Sequence, residues 1–196
     1  MANTASPYGL KPVSLIGGQP FNGGVIKEIP MTVNSATAIA AGDIIQIGAA
    51  SAGQPSARTA TPDNTTAGII GVCVGVSFVD PVLKQQQHAQ TLPANAITAG
   101  YTNVVVKVCD DPDQLYQLQS VGSVADTVLG KFCAVENFGV GPYGNSTIRG
   151  STPANTATLA FRIVGFASPA TDTNRDLIVK FNQGIHMYLN TLVLAT

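Results

Sequence analysis

The sequence predicts an all-β protein, and three observations carry that expectation. Glycine and proline are frequent, 20 and 12 of 196 residues, and both disfavour helix interiors. The rest is rich in Val, Ile, Thr and Ala, and β-branched side chains suit pleated surfaces. Short apolar runs alternate with turn clusters along the whole chain. That alternation predicts about eight to ten short strands in a small barrel or sandwich.

Residues 1–24 read as an extended N-terminal arm. They hold Pro7, Pro12 and Pro20 and the glycines Gly9, Gly17, Gly18, Gly23 and Gly24, with Tyr8, Leu10, Val13, Leu15, Ile16 and Phe21 interspersed. A flexible linker would not carry so many apolar side chains, so these six are the expected anchors of an arm docked on a neighbour. Proline lacks an N–H donor and fits such an edge path.

Residues 25–196 form the body. A strand over 25–31 sets Val25, Lys27 and Ile29 against Ile26 and Glu28. Ala41-Gly42-Asp43 turns into Ile44-Ile45-Gln46-Ile47, and 51–66 is a polar loop. The run 69–79 places Val72, Val74, Val76 and Phe78 on one face and Cys73, Gly75 and Ser77 on the other. That small second face predicts the close approach of another backbone or a bend. Residues 80–100, including His88, read as a second connection. A strand over 103–109 presents Val104, Val106 and Val108, and Asp110-Asp111-Pro112-Asp113 turns into a strand over 115–119. Residues 123–129 read as one or two helical turns with Ser123 as N-cap, and 131–135 as a strand. The turn-rich stretch 138–158 reads as a loop insertion. Leu159, Phe161 and Ile163 pair with Leu177, Val179 and Phe181 through a turn at 172–176, and 185–194 closes the chain as a strand or docked tail.

Charge is scarce. Lys and Arg number 10 and Asp and Glu 11, or 11% of the chain, against roughly 25% in an average soluble domain. Charge keeps a folded surface hydrated and unassociated, so this surface is expected to be covered by a partner. No run approaches the 20 apolar residues of a spanning helix. The first residues have neither the basic nor the apolar region of a signal peptide, so synthesis in a cytoplasm and no membrane partner are expected. A net charge of −1 without a basic run gives no electrostatic footprint for nucleic acid. Other protein subunits are the expected cover.

The chemistry-bearing residues make no catalytic constellation. Cys73, Cys109 and Cys133 are odd in number and widely spaced, unlike a disulfide framework or zinc site. In Asp110-Asp111-Pro112-Asp113 a leucine, Leu115, stands where a calcium loop needs a ligand, and no glycine follows. The histidines His88 and His186 have no Gly-x-Ser-x-Gly elbow to serve. Asn64-Thr65-Thr66 and Asn145-Ser146-Thr147 match the glycosylation sequon without a secretory context. No catalytic residue, metal or cofactor is expected. A carbohydrate-binding sandwich is disfavoured because the chain has no Trp and only 6% aromatics.

The opening Ser6-Pro7-Tyr8-Gly9-Leu10-Lys11-Pro12-Val13 with Gly17-Gly18 resembles the N-termini of small capsid decoration (cement) proteins of tailed bacteriophages, of the lambda decoration type. So does the later order Ala40-Ala41-Gly42-Asp43-Ile44-Ile45, Ala67-Gly68-Ile69-Ile70-Gly71-Val72, Asp110-Asp111-Pro112-Asp113-Gln114, Phe161-Arg162-Ile163-Val164-Gly165 and Val179-Lys180-Phe181-Asn182 before His186. The resemblance spans most of the chain. It implies a β-tulip or small β-barrel body, homotrimers on the outer surface of an icosahedral head, an arm that engages the major capsid protein, and stabilisation of the shell against internal DNA pressure. A head fibre or tail subunit of the same kind of particle is the alternative. On this view, deleting residues 1–20 leaves a folded body that no longer binds capsids.

Overall fold

A computed structural model describes residues 5–21, 26–48 and 53–189. The protein is all-β, as the composition predicts; among the described residues the one helical element is a single 3-10 turn, Asp126–Val128. The described strands are β1 (Lys11–Leu15), β2 (Ile26–Met31), β3 (Ile39–Ala40), β4 (Ile44–Ile47), β5 (Pro55–Ala57), β6 (Ile69–Val79), β7 (Gln86–Ala89), β8 (Thr91–Leu92), β9 (Thr102–Cys109), β10 (Gln114–Gln119), β11 (Phe132–Cys133), β12 (Val135–Glu136), β13 (Arg149–Gly150), β14 (Phe161–Phe166) and β15 (Asp176–Phe181). Several are only two residues long, too short to leave a period in the sequence.

Among the described residues the sheets do not close into a barrel. A five-stranded sheet runs β1-β10-β15-β14-β11, and a six-stranded sheet runs β2-β9-β6-β4-β5 with β7 also on β6. All these pairings are antiparallel. Because β9 follows one edge of β6, β4 and β7 share the other edge end to end. The turn between β3 and β4 fills the gap between them: Gly42 donates to the Cys73 carbonyl and Cys73 to the Asp43 carbonyl, both at 2.8 Å.

Two apolar cores result. The main core gathers Tyr116 and Leu118 of β10, Phe161 and Ile163 of β14, and Leu177, Val179 and Phe181 of β15 against Ile44, Ile69 and Val72. The second gathers Val104, Val106 and Val108 of β9 with Ile39, Ile45, Ile70, Val76, Phe78 and Leu92. Strand β6 serves both, and here the structure corrects the face assignment. Val72 and Val74 face the main core, but Val76 and Phe78 face the second with Cys73. The register slips at Ile70, opposite Ile45/Gln46, and again between Cys73 and Gly75. Each bulge adds one residue and so flips the two-residue alternation. The close backbone approach expected at the small face 73–77 is not at Gly75, whose nearest neighbour leaves ordinary room, but at Gly71, where any Cβ would overlap the Cys109 carbonyl.

Residues 138–158 are woven into the body. Ile148 is fully buried in the main core, Gly150 bridges Ser120, and Ser146 donates its N–H to the Ala41 carbonyl at 2.8 Å. His88 lies on β7, paired with Ser77, and not in a loop. Val25 and residues 190–194 fall outside the described residues.

Candidate functional site

The N-terminal segment begins by crossing the body backbone to backbone. Gly9, at φ +77°, lies so close to Gly42 that a Cβ on Gly9 would stand 2.8 Å from the Gly42 Cα. Only glycine on both sides permits that crossing. Leu10 then donates its N–H to the Gly42 carbonyl at 3.0 Å and sinks its side chain into the main core, 1% exposed. Beyond it, β1 pairs antiparallel with β10, with a bulge between Pro12 and Ser14. The chain doubles back at Gly17-Gly18: Leu15 donates to the Gln19 carbonyl and Phe21 to the Val13 carbonyl. The outer edge of β1 is therefore covered by the chain's own return, which suppresses edge-to-edge association.

Side chains fix the same segment. The Ser6 N–H meets Gln119 Oε1 at 2.9 Å, and the Tyr8 hydroxyl donates to Asp176 Oδ1 at 2.8 Å. Burial, reinforced by that bond, pushes the Tyr8 phenol far above its ordinary range and keeps it a donor. Asn145 donates to the Pro7 carbonyl at 3.3 Å. Under the crossing lies Asp43, a buried carboxyl that accepts the Ala40 N–H at 2.8 Å. Its burial pushes its pKa up to about 6, against the lowering effect of bonds from Ser146 and Ala40.

The expected extended path of the arm is thus present over the described residues 5–21, but its seat is the chain's own sheet. Leu10 is spent in the core, and Phe21 packs against that core as well. Deleting residues 1–20 would open the main core, so a folded remainder is no longer expected. The six anchors divide between places. Tyr8, Leu10 and Phe21 line a groove of about 550 Å³ with Pro12, Val74 and Gln117. Val13 and Leu15 lie half-buried along β1. Ile16, 56% exposed, lines a second groove of about 510 Å³ with Arg162, Val164, Lys180 and Leu189. Sequence reasoning missed these groove partners. Val164 and Lys180 are the outward members of two strands whose inward members it had found, so the alternation carried the signal.

Apart from His88, exposed on β7, the other groups weighed in the sequence are turned inward or held by partners. The three thiols are buried, and burial pushes Cys73 and Cys133 to about 12 and Cys109 to about 11, which leaves them un-ionised and unreactive. Asp110 accepts the Tyr188 hydroxyl at 2.7 Å, Asp111 caps the Asp113 N–H at 2.8 Å, and Asp113 meets Lys180 at 2.6 Å. Among the described residues no group of three His, Cys, Asp or Glu side chains is placed to hold a metal ion, and no helix is long and apolar enough to cross a membrane. Arg175 is nearly buried, bonded to the carbonyls of Ser168 and Val124 and to Asp126, with its guanidinium 3.6 Å from the Phe166 ring centroid. It ties the β14–β15 loop to the 3-10 turn.

The fold and this surface define an all-β protein whose first strand is built from its own N-terminal segment. No protein-family model, curated protein or solved structure matches the chain.

Proposed function

We propose that this protein is a structural component of a tailed-phage particle: a capsid decoration protein that sits as homotrimers on the outer surface of an icosahedral head, binds the major capsid protein and stabilises the shell against internal DNA pressure. One observation carries the reading. The N-terminal segment is laid along the edge of a sheet with Val13 and Leu15 half-buried and Ile16 exposed, on a chain of which only 11% is charged. Burial on a partner is the natural use of such a surface. Each side chain fully covered would supply roughly 1.5–3 kcal/mol before ordering losses, and a trimer multiplies that gain by avidity.

The correction to the arm changes the test. Substitutions at outward positions replace the deletion, because the deletion also removes Leu10. Purified protein mixed with expanded, undecorated phage heads is expected to co-sediment and to appear in electron micrographs as protrusions at three-fold positions. Ile16→Asp is expected to abolish that binding while the circular dichroism and melting of the free protein stay unchanged. A protein that remains monomeric and ignores heads would sink the proposal.

A further inference from the structure

We infer that the segment 185–189 is an acid-released latch, with His186 as its trigger. Ile185 and His186 are fully buried. His186 bridges Ile69 of β6, and the Met187 N–H donates to the Ile69 carbonyl at 2.6 Å. The imidazole stands between two rings, its centroid 5.8 Å from that of Phe181 and 5.0 Å from that of Tyr188.

The hydrogen bonds of the ring set the trigger. The Tyr188 N–H donates to His186 Nδ1 at 3.3 Å. Nδ1 is therefore the acceptor and Nε2 carries the hydrogen of the neutral ring. Nε2 is buried and makes no hydrogen bond of good geometry, although the carbonyls of Ile70 and Asp110 lie close enough to the ring to act on it. Adding a proton would place an N–H on Nδ1 against the Tyr188 N–H, donor against donor, and leave a cation in a site sealed from water.

The surrounding charges are few. The Asp110 and Asp111 carboxylates, on the turn after β9, favour the cation, as do the carbonyls of Ile70 and Asp110. The Asp110 carboxylate is already engaged by the Tyr188 hydroxyl, and Lys27 of β2 lies 3.9 Å from it. Cys109 and Tyr116, the titratable groups that β9 and β10 add nearby, stay neutral because burial raises both. Burial outweighs the carboxylates and carbonyls, and the His186 pKa lies below the ordinary 6.5.

The sign follows from linkage. The released segment binds the proton more readily than the latched one. The latch is at full strength above about pH 6.5 and weakens as pH falls toward the depressed value. Release would withdraw Ile185 from the main core and Met187 from β6 while the β10–β15 pairing stays closed.

Imidazole NMR titration and amide hydrogen exchange on the full chain test this, with His88→Gln assigning the two histidine signals. His186 is expected to titrate below 6.5. The Met187 protection factor is expected to fall about tenfold between pH 7.5 and 5.0, with Leu118 and Val179 unchanged. His186→Gln, neutral throughout, is expected to remove that pH dependence. Should that variant fail to fold, the wild-type titration and exchange decide. His186 titrating at or above 6.5, constant Met187 protection, or a parallel loss at Leu118 and Val179 would each overturn the latch.

Discussion

The N-terminal segment 5–21 is held by its backbone and its side chains together, whereas the C-terminal segment 185–189 is held chiefly by its side chains. The first makes a run of strand pairs with β10 and a return along its own edge, and leaves side chains such as Ile16 outward. The second makes one bridge to β6 and sinks Ile185 and His186 completely. The first keeps Ile16 outward beside its buried Leu10; the second leaves Tyr188 and Leu189 partly exposed, and Leu189 lines the same groove as Ile16. On the proposed function the first segment is the one that meets a partner, and on the proposed latch the second is the one that responds to acid. The two ends also answer acid in opposite directions, because a buried carboxyl lies under one and a buried imidazole inside the other.

The largest expected effect tests whether residues 5–21 belong to the body at all. Leu10→Ala is expected to lower global stability by about 2–5 kcal/mol in urea unfolding, and a change under 1 kcal/mol would make the segment a detachable arm after all. Next comes the acid response at the crossing. With its pKa raised to about 6 from 3.8, Asp43 holds a proton in the folded state that the unfolded chain releases. Its contribution is present below pH 3.8 and is lost as pH rises through 6. Asp43→Asn is therefore expected to flatten the pH 4 to pH 7 stability difference by an amount on the order of 3 kcal/mol. A difference unchanged by the substitution would mean that the carboxyl is not buried as described. Tyr8→Phe removes the bond to Asp176 and is expected to cost about 1.5 kcal/mol in thermal or urea melts, with the loss concentrated in exchange of the β1 amides. Ile16→Ser is the smallest: within about 0.5 kcal/mol of wild type in stability, yet weakening head binding at least tenfold. Equal binding would move the contact surface away from this segment.

The sequence showed the strands that alternate cleanly, such as Val104, Val106 and Val108, and the β14–β15 hairpin. It also marked the six apolar side chains of residues 8–21. What it hid were interactions between residues distant in the chain. Nothing local says that Leu10 will enter the core, since that depends on Gly9 meeting Gly42 more than thirty residues later. The run 69–79 reads as one continuous strand because a bulge leaves the residue types intact and changes only their direction. The stretch 138–158 looks like an insertion because turn-forming Gly, Pro, Asn, Ser and Thr dominate it, although Ile148, a single residue in its middle, anchors it in the core. His186 was one of two histidines with no catalytic partner in the sequence, and its donor and acceptor pattern exists only once the chain has folded around it.

Strand β6 has a consequence for how the molecule yields. Its bulges send members of one alternate set, Val72 and Val76, toward opposite cores, so neither core owns a complete face of it, and Gly71 presses it against Cys109 with no slack. Loosening one core displaces a side chain of the other. The two sheets cannot melt in sequence as separate modules. Calorimetry should show one transition whose van't Hoff and calorimetric enthalpies agree. A load applied at the surface would pass between the cores through β6 and also through β4, whose Ile44 and Ile45 face opposite cores.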